Sequence, residues 1–170
     1  MGDKLDRSGY QSGVTPSQPP LVVRALQEND FRGWKPLWDD YNAFYGRQAQ
    51  TALPSEITQI AWQRFLDPCE PVFALVAEAD SELVGLTHYL FHRSTTRVEP
   101  TCYLRDLFTI ESRRGCGIGR ALIDGVCRAA KEAGAYQVYW QTHQSNVVAR
   151  RLYDSVGENE GFIVYSHEVK

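Results

Sequence analysis

The stretch Leu104-Arg105-Asp106-Leu107-Phe108-Thr109-Ile110-Glu111-Ser112-Arg113-Arg114-Gly115-Cys116-Gly117-Ile118-Gly119-Arg120 decides how the rest of the chain is read. Its first part is strand-like and its last part opens a helix. Between them Gly115, Gly117 and Gly119 alternate. Glycine at such a junction lets backbone N–H groups turn toward an anion with no side chain in the way. The helix N-terminus adds the positive end of its dipole. Together they form a pyrophosphate cradle, with Arg114 and Arg120 able to add charge at its rim. The loop is not a P-loop, because G-x-x-x-x-G-K-[ST] is absent. It also fails the dinucleotide pattern G-x-G-x-x-G at its third glycine. A tight glycine turn without a ligand is the alternative reading of the loop alone.

Downstream, Gly117–Ala133 carries Ile118, Ala121, Leu122, Gly125, Val126 and Ala129 at the spacing of one buried helical stripe. Gly134 is placed to end that helix. Tyr136–Gln141 reads as a strand, Asn146–Val156 as a helix stopped by Gly157, and Phe162–His167 as a closing strand. Upstream, Val72–Ala77 and Leu83–His92 flank the turn residues Asp80-Ser81 and read as an antiparallel hairpin. The aromatic stripe Phe31, Trp34, Leu37, Trp38, Tyr41, Phe44 and Tyr45 predicts a helix over 30–46, started or kinked near Pro36. A second helix is expected from Pro54 to Leu66, and a short strand over Leu21–Ala25. Residues 1–20, rich in Gly, Ser, Gln and Pro, read as a flexible leader, leaving 21–170 as a single domain. The expected fold class is α/β (α+β): a central mixed, mostly antiparallel twisted sheet flanked by helices.

Bulk properties narrow the function. The chain has 170 residues, 43% hydrophobic and 23% charged, with a formal net charge of -3. That balance carries no nucleic-acid footprint. No apolar run approaches a membrane span, and the N-terminus lacks the apolar core of a secretory signal. Cys69, Cys102, Cys116 and Cys127 are scattered and form no C-x-x-C pair, so they read as reduced thiols in a cytoplasmic protein. His88 and His92 lack the intervening Glu of a zinc motif and read as surface or core histidines, so no metal site is expected.

The wider context of the glycine loop resembles the GNAT superfamily of N-acetyltransferases. Arg114-Gly115-Cys116-Gly117-Ile118-Gly119 matches its R/Q-x-x-G-x-G/A motif, and Leu104-x-Asp106-Leu107-Phe108 resembles its central strand. Asn146-x-x-Ala149-x-x-Leu152-Tyr153 is similar to its N-x-x-A-x-x-x-Y landmark, and Gly161-Phe162 to its closing G-F. Within the superfamily, the region from Trp140 to Tyr165 looks nearest to the polyamine and histone-type amine acetyltransferases. The resemblance implies the GNAT fold, acetyl-CoA as co-substrate, transfer of its acetyl group to a primary amine (of a small molecule or a lysine side chain) by direct attack in a ternary complex, and a homodimer. It implies that Leu107, Phe108 and Thr109 offer backbone groups to the pantetheine and thioester. Backbone amides of Gly115, Cys116, Gly117, Ile118, Gly119 and Arg120 would hold the pyrophosphate. Asn146 would orient the pantetheine, with Ala149 packed beside it, unless Asn146 simply caps its helix. Tyr153 would be the general acid facing the departing sulfur; otherwise it is a core tyrosine on an apolar helix face.

The acceptor side is less determined. An amine with a pKa near 10 is neutral in only about one molecule per thousand at pH 7, so a base is needed. The polyamine-type enzymes carry Glu directly before the strand Asp, and Arg105 stands there instead. Asp106 is adjacent, but neighbouring strand residues face opposite ways, so it can replace that Glu only if the strand is bulged. Asp106, Glu70, Glu78 and a water chain all stay open as the base. Arg105 could bind a carboxylate or phosphate on the acceptor, or pair with Glu99. Trp38 and Asp39 could form an aromatic and acidic wall for a cationic amine, or be core and solvated face. The alternative function is a non-catalytic acyl-CoA-binding protein of the same fold, consistent with the missing Glu.

Overall fold

A computed structural model describes residues 20–169; apart from Pro20, the expected leader lies outside them. Five strands form one sheet in the order β1-β2-β3-β4-β5. They are β1 (Val22–Ala25), β2 (Val72–Ala79), β3 (Glu82–His92), β4 (Thr101–Thr109) and β5 (Gln137–Trp140). Neighbours are antiparallel except β4 and β5, which run parallel. The helices are α1 (Phe31–Phe44), α2 (Ser55–Leu66), α3 (Ile118–Glu132) and α4 (Val147–Tyr153). The mixed, mostly antiparallel sheet is the one expected. So is the β2–β3 hairpin, whose turn residues Asp80 and Ser81 both take positive φ, as a tight hairpin turn requires.

Period-two alternation in β2 divides the core into two layers. Ala74 and Val76 point to a cluster with Trp34, Leu37, Trp38, Tyr41 and Leu86 under α1. Leu75 and Ala77 point to a cluster with Leu122, Ile123 and Val126 under α3. The aromatic stripe of α1 is thus buried, as its spacing implies. The helix runs through Pro36, which stands on its exposed face, where solvent can serve the carbonyl that proline leaves without a partner.

In β4 the alternation reverses part-way. Cys102 and Leu104 face the α3 layer, but Phe108 faces the α1 layer. The cause is a bulge: His88 pairs with Asp106 and Tyr89 with Leu104, so Arg105 has no partner in β3. One unmatched residue inverts the parity of every residue after it.

One expectation fails. Phe162–His167 forms no strand; residues 158–169 make no strand pairing with the described chain, and Phe162 and Tyr165 are 86% and 87% exposed. Alternation produces a strand only where a neighbouring backbone offers hydrogen bonds, and among the described residues no segment pairs with the outer edge of β5.

Gly85 in β3 lets α3 approach the sheet. A Cβ there would lie 2.9 Å from the Phe108 carbonyl oxygen and 3.1 Å from Ile118 and Leu122 side chains. Gly85→Ala should therefore cost about 1–3 kcal/mol. Denaturant unfolding checks this, and an unchanged midpoint would mean that the two layers are free to part.

Candidate active site

Two features of the sheet create the site. The first is the parting of β4 and β5. They pair only from Thr101–Gln137 to Leu104–Trp140, after which β4 runs on to Thr109 alone on that side. The edge of β4 that carries Leu107, Phe108 and Thr109 is thus open in backbone hydrogen-bonding capacity. At its far end the chain turns through Gly115 and Gly117, with φ of 78° and 81°, into α3. No side chain caps α3. Its first N–H groups have no helical partner, and a Cβ added at Gly115 or Gly117 would meet nothing within 4 Å. The junction is an exposed donor array with room in front of it, suited to a phosphate. Of the rim arginines, Arg114 folds back to the Thr109 carbonyl at 3.4 Å, and Arg120 donates to Ser155 Oγ at 2.7 Å.

Helix α4 closes the other side of the parting. Gly119 abuts Leu152, and Tyr153 packs against Trp140 with ring centroids 5.5 Å apart. Tyr153 therefore stands where β5 ends. Burial, then the neighbouring Tyr45, pushes its phenol up to about 12. It carries its proton at any physiological pH, and its hydroxyl has no hydrogen-bond partner among the described residues. Asn146 is the N-cap of α4, accepting from Ala149 N–H at 3.3 Å and donating to Thr142 Oγ1. The capping role left open by the sequence is the one this geometry displays.

The second feature is the bulge. It turns Asp106 toward α1, into a buried polar chain that sequence reasoning missed. Trp34 Nε1–H donates to His88 Nε2 at 3.1 Å, and His88 Nδ1 lies 3.0 Å from Asp106 Oδ2. An indole N–H can only donate, so Nε2 is the acceptor and the imidazole proton sits on Nδ1, aimed at Asp106. Tyr41 donates its hydroxyl to Asp106 Oδ1. Burial pushes the Asp106 carboxyl up, but His88 and Tyr41 outweigh burial and hold it below the ordinary carboxylate value. The Asp106 charge in turn helps to raise the Tyr41 and Tyr45 phenols, after burial.

Asp106 and Arg105 both line a cleft of about 170 Å³ between the sheet and helices α1 and α2. Trp38 and Phe65 form its aromatic walls. Trp38 Nε1 is the single buried side-chain polar atom without a partner among the described residues. Arg105 donates to Tyr103 Oη at 3.3 Å rather than to Glu99. Asp39 does not line the cleft; it pairs with Lys35 on the outer face of α1. Glu78 is held by Arg24, and Glu70 lies 3.7 Å from Arg64, whose side chain lines the cleft.

This arrangement is that of an acyltransferase. The family model described as Acetyltransferase (GNAT) family matches residues 34–157, and the chain belongs to that family. It is 33% identical over 147 residues to D-amino-acid N-acetyltransferase HPA3 of Saccharomyces cerevisiae, covering 85% of this chain and 89% of that protein. It is 31% identical over 147 residues to the uncharacterized N-acetyltransferase YhfO of Bacillus subtilis, covering 85% and 95%. Among solved structures it superposes on the aminoglycoside N-acetyltransferase AAC(6')-Iy in complex with CoA, with a TM-score of 0.77 at 15% identity over 91% of this chain and 99% of that one. The protein is a GNAT acetyltransferase.

The His88 chain makes a pH-dependent prediction. A carboxyl lowered on folding adds stability above its unfolded pKa of about 3.9, and that stability is lost as pH falls through the folded value. His88→Leu removes a donor and leaves burial to raise Asp106. The melting temperature of wild type should exceed that of His88→Leu by ~5 °C more at pH 6 than at pH 3. His88→Asn, with an amide N–H near the Nδ1 position, should recover part of the difference. Equal gaps at both pH values would remove His88 as the donor.

Proposed function

We propose that the protein transfers the acetyl group of acetyl-CoA to the primary amine of a small molecule, by direct attack within a ternary complex. The observation that carries this is the parting of β4 and β5, with an uncapped helix N-terminus at one end and Tyr153 and Asp106 at the other. The residues present fit the co-substrate: the open β4 edge at Leu107–Thr109 for pantetheine, and the N–H groups from Gly115 to Arg120 for pyrophosphate. Arg114 and Arg120 would add charge beside it, and Ala149 would leave room beside the pantetheine. Acetyl-CoA supplies an activated thioester.

A backbone N–H of β4 would polarise the acetyl carbonyl, as an oxyanion donor does. Tyr153 would donate a hydrogen bond to the leaving sulfur. With its phenol near 12 and a thiol near 8.5, full proton transfer is uphill by about 5 kcal/mol, so hydrogen bonding to the thiolate is its main work. Asp106, ionised and set on the cleft, would draw the ammonium in. Its lowered pKa suits it to holding the cation, and the proton would then pass through water to solvent.

The acceptors that similarity to the D-amino-acid enzyme points to are free amino acids. A polyamine acceptor, implied by the resemblance of the 140–165 region, fits less well beside the guanidinium of Arg105 on the same cleft. We also propose a homodimer, in which a second copy covers Phe162, Ile163, Val164 and Tyr165, each at least 64% exposed in the single chain. Four free cysteines accord with a cytoplasmic setting.

Release of CoA thiol should depend on an added amine. Tyr153→Phe should lower kcat at least tenfold while the Kd for acetyl-CoA stays within about twofold. Unchanged kcat, measured by thiol release under saturating acetyl-CoA, would remove Tyr153 from the reaction.

A further inference from the structure

Arg105 and Asp106 are consecutive in a strand yet line one cleft. Regular pleating would set them on opposite faces of the sheet. Tyr103 and Arg105 share the α1 side, joined by the Arg105–Tyr103 hydrogen bond. The bulge then turns Asp106 to that side too, where it meets Tyr41 and His88. A positive and a negative group thus stand on adjacent residues of one wall.

Each charge feels the other, but among the described residues the two form no direct ion pair. Asp106 uses its inner hydrogen-bonding positions on His88 and Tyr41, and its side chain is still 12% exposed. Arg105 has one hydrogen bond, from Nη1 to Tyr103. No carboxylate lies within ion-pair distance of it among the described residues. Most of its guanidinium fork is therefore free, and that fork matches a carboxylate in geometry and charge. Of the other cleft residues, Trp38, Phe65, Val72 and Leu90 are apolar or aromatic, His88 is already bonded to Asp106, and the guanidinium of Arg64 is answered by Glu70 at 3.7 Å.

We infer that this pair reads a zwitterion: Asp106 takes the ammonium and Arg105 the carboxylate of an α-amino acid, whose apolar side chain lies against the aromatic walls. The inference rests on the acetyltransferase reading and names the acceptor's recognition groups. A cleft of about 170 Å³ has room for one such molecule. A diamine would bring its second ammonium against Arg105, a like charge in a partly desolvated site. The free carboxylate, not the amine alone, is what the site selects.

The test compares leucine, leucinamide and 1,4-diaminobutane, with both enantiomers of leucine, as acceptors for the full-length protein. Amine-dependent thiol release gives kcat/KM, and isothermal titration of each compound onto the CoA complex gives affinity without turnover. Wild type should prefer one leucine enantiomer over its amide, and over the diamine, by at least tenfold. Arg105→Gln should cut the leucine-to-leucinamide ratio ~10- to 100-fold, the range of a lost charge-assisted hydrogen bond. Arg105→Lys should fall between, keeping the charge without the fork. Turnover of amines with no preference for the carboxylate overturns the inference and leaves the acetyltransferase reading standing. So does an Arg105→Gln variant whose leucine and leucinamide values fall in parallel. Titration that shows leucine binding no tighter than leucinamide overturns it even if no acceptor is turned over, and total failure of turnover counts separately against the choice of acceptors.

Discussion

One unmatched residue in β4 is the constraint on which the rest of this molecule depends. Before Arg105, β4 sends Cys102 and Leu104 into the α3 layer. After it, Phe108 enters the α1 layer. Without that inversion Asp106 would point a carboxylate into the apolar cluster under α3, where nothing is placed to satisfy it. With it, Asp106 meets Tyr41 and His88, and a buried charge becomes a partnered one. The same inversion brings Arg105 and Asp106 to one cleft.

A partnered buried charge is only as stable as its partners are fixed, and here they are part of the core. Trp34 is fully buried. It stacks with Trp38, which stacks with Tyr41, at centroid distances of 5.8 and 5.3 Å. His88 lies against Phe65 at 4.3 Å. Rings that pack α1 and α2 onto the sheet therefore also set the orientation of the imidazole and phenol that hold Asp106. Packing and site chemistry share the same side chains, so the first helix is both core and cleft wall.

The opposite face of the site depends on what is left unpaired. Parallel pairing of β4 and β5 stops at Leu104–Trp140, and α4 packs across the gap through Leu152 and Tyr153. Close contact between Gly119 and Leu152 holds the start of α3 beside α4. A ligand that occupies the parting would complete the sheet edge and cover the helix terminus together.

Much of this was legible in the chain itself. The glycine loop before α3, the aromatic stripe of α1, the hairpin at Asp80-Ser81 and the order of the landmarks from Arg114 to Tyr153 are local patterns. Spacing and the resemblance they carry placed the helices, the first five strands and the glycine junction that opens α3. Two things were not local. Whether Phe162–His167 becomes a strand depends on a neighbouring backbone, and among the described residues none pairs with the outer edge of β5. Which way Asp106 points depends on its register against β3, where His88 pairs with it across a bulge that no residue of β4 announces. The sequence by itself determined that a carboxylate, an arginine and a tyrosine would lie near the end of a strand and on the last helix. Only the tertiary structure decided that the carboxylate and the arginine share one cleft, because side-chain facing in a sheet is set by pairing and not by residue type.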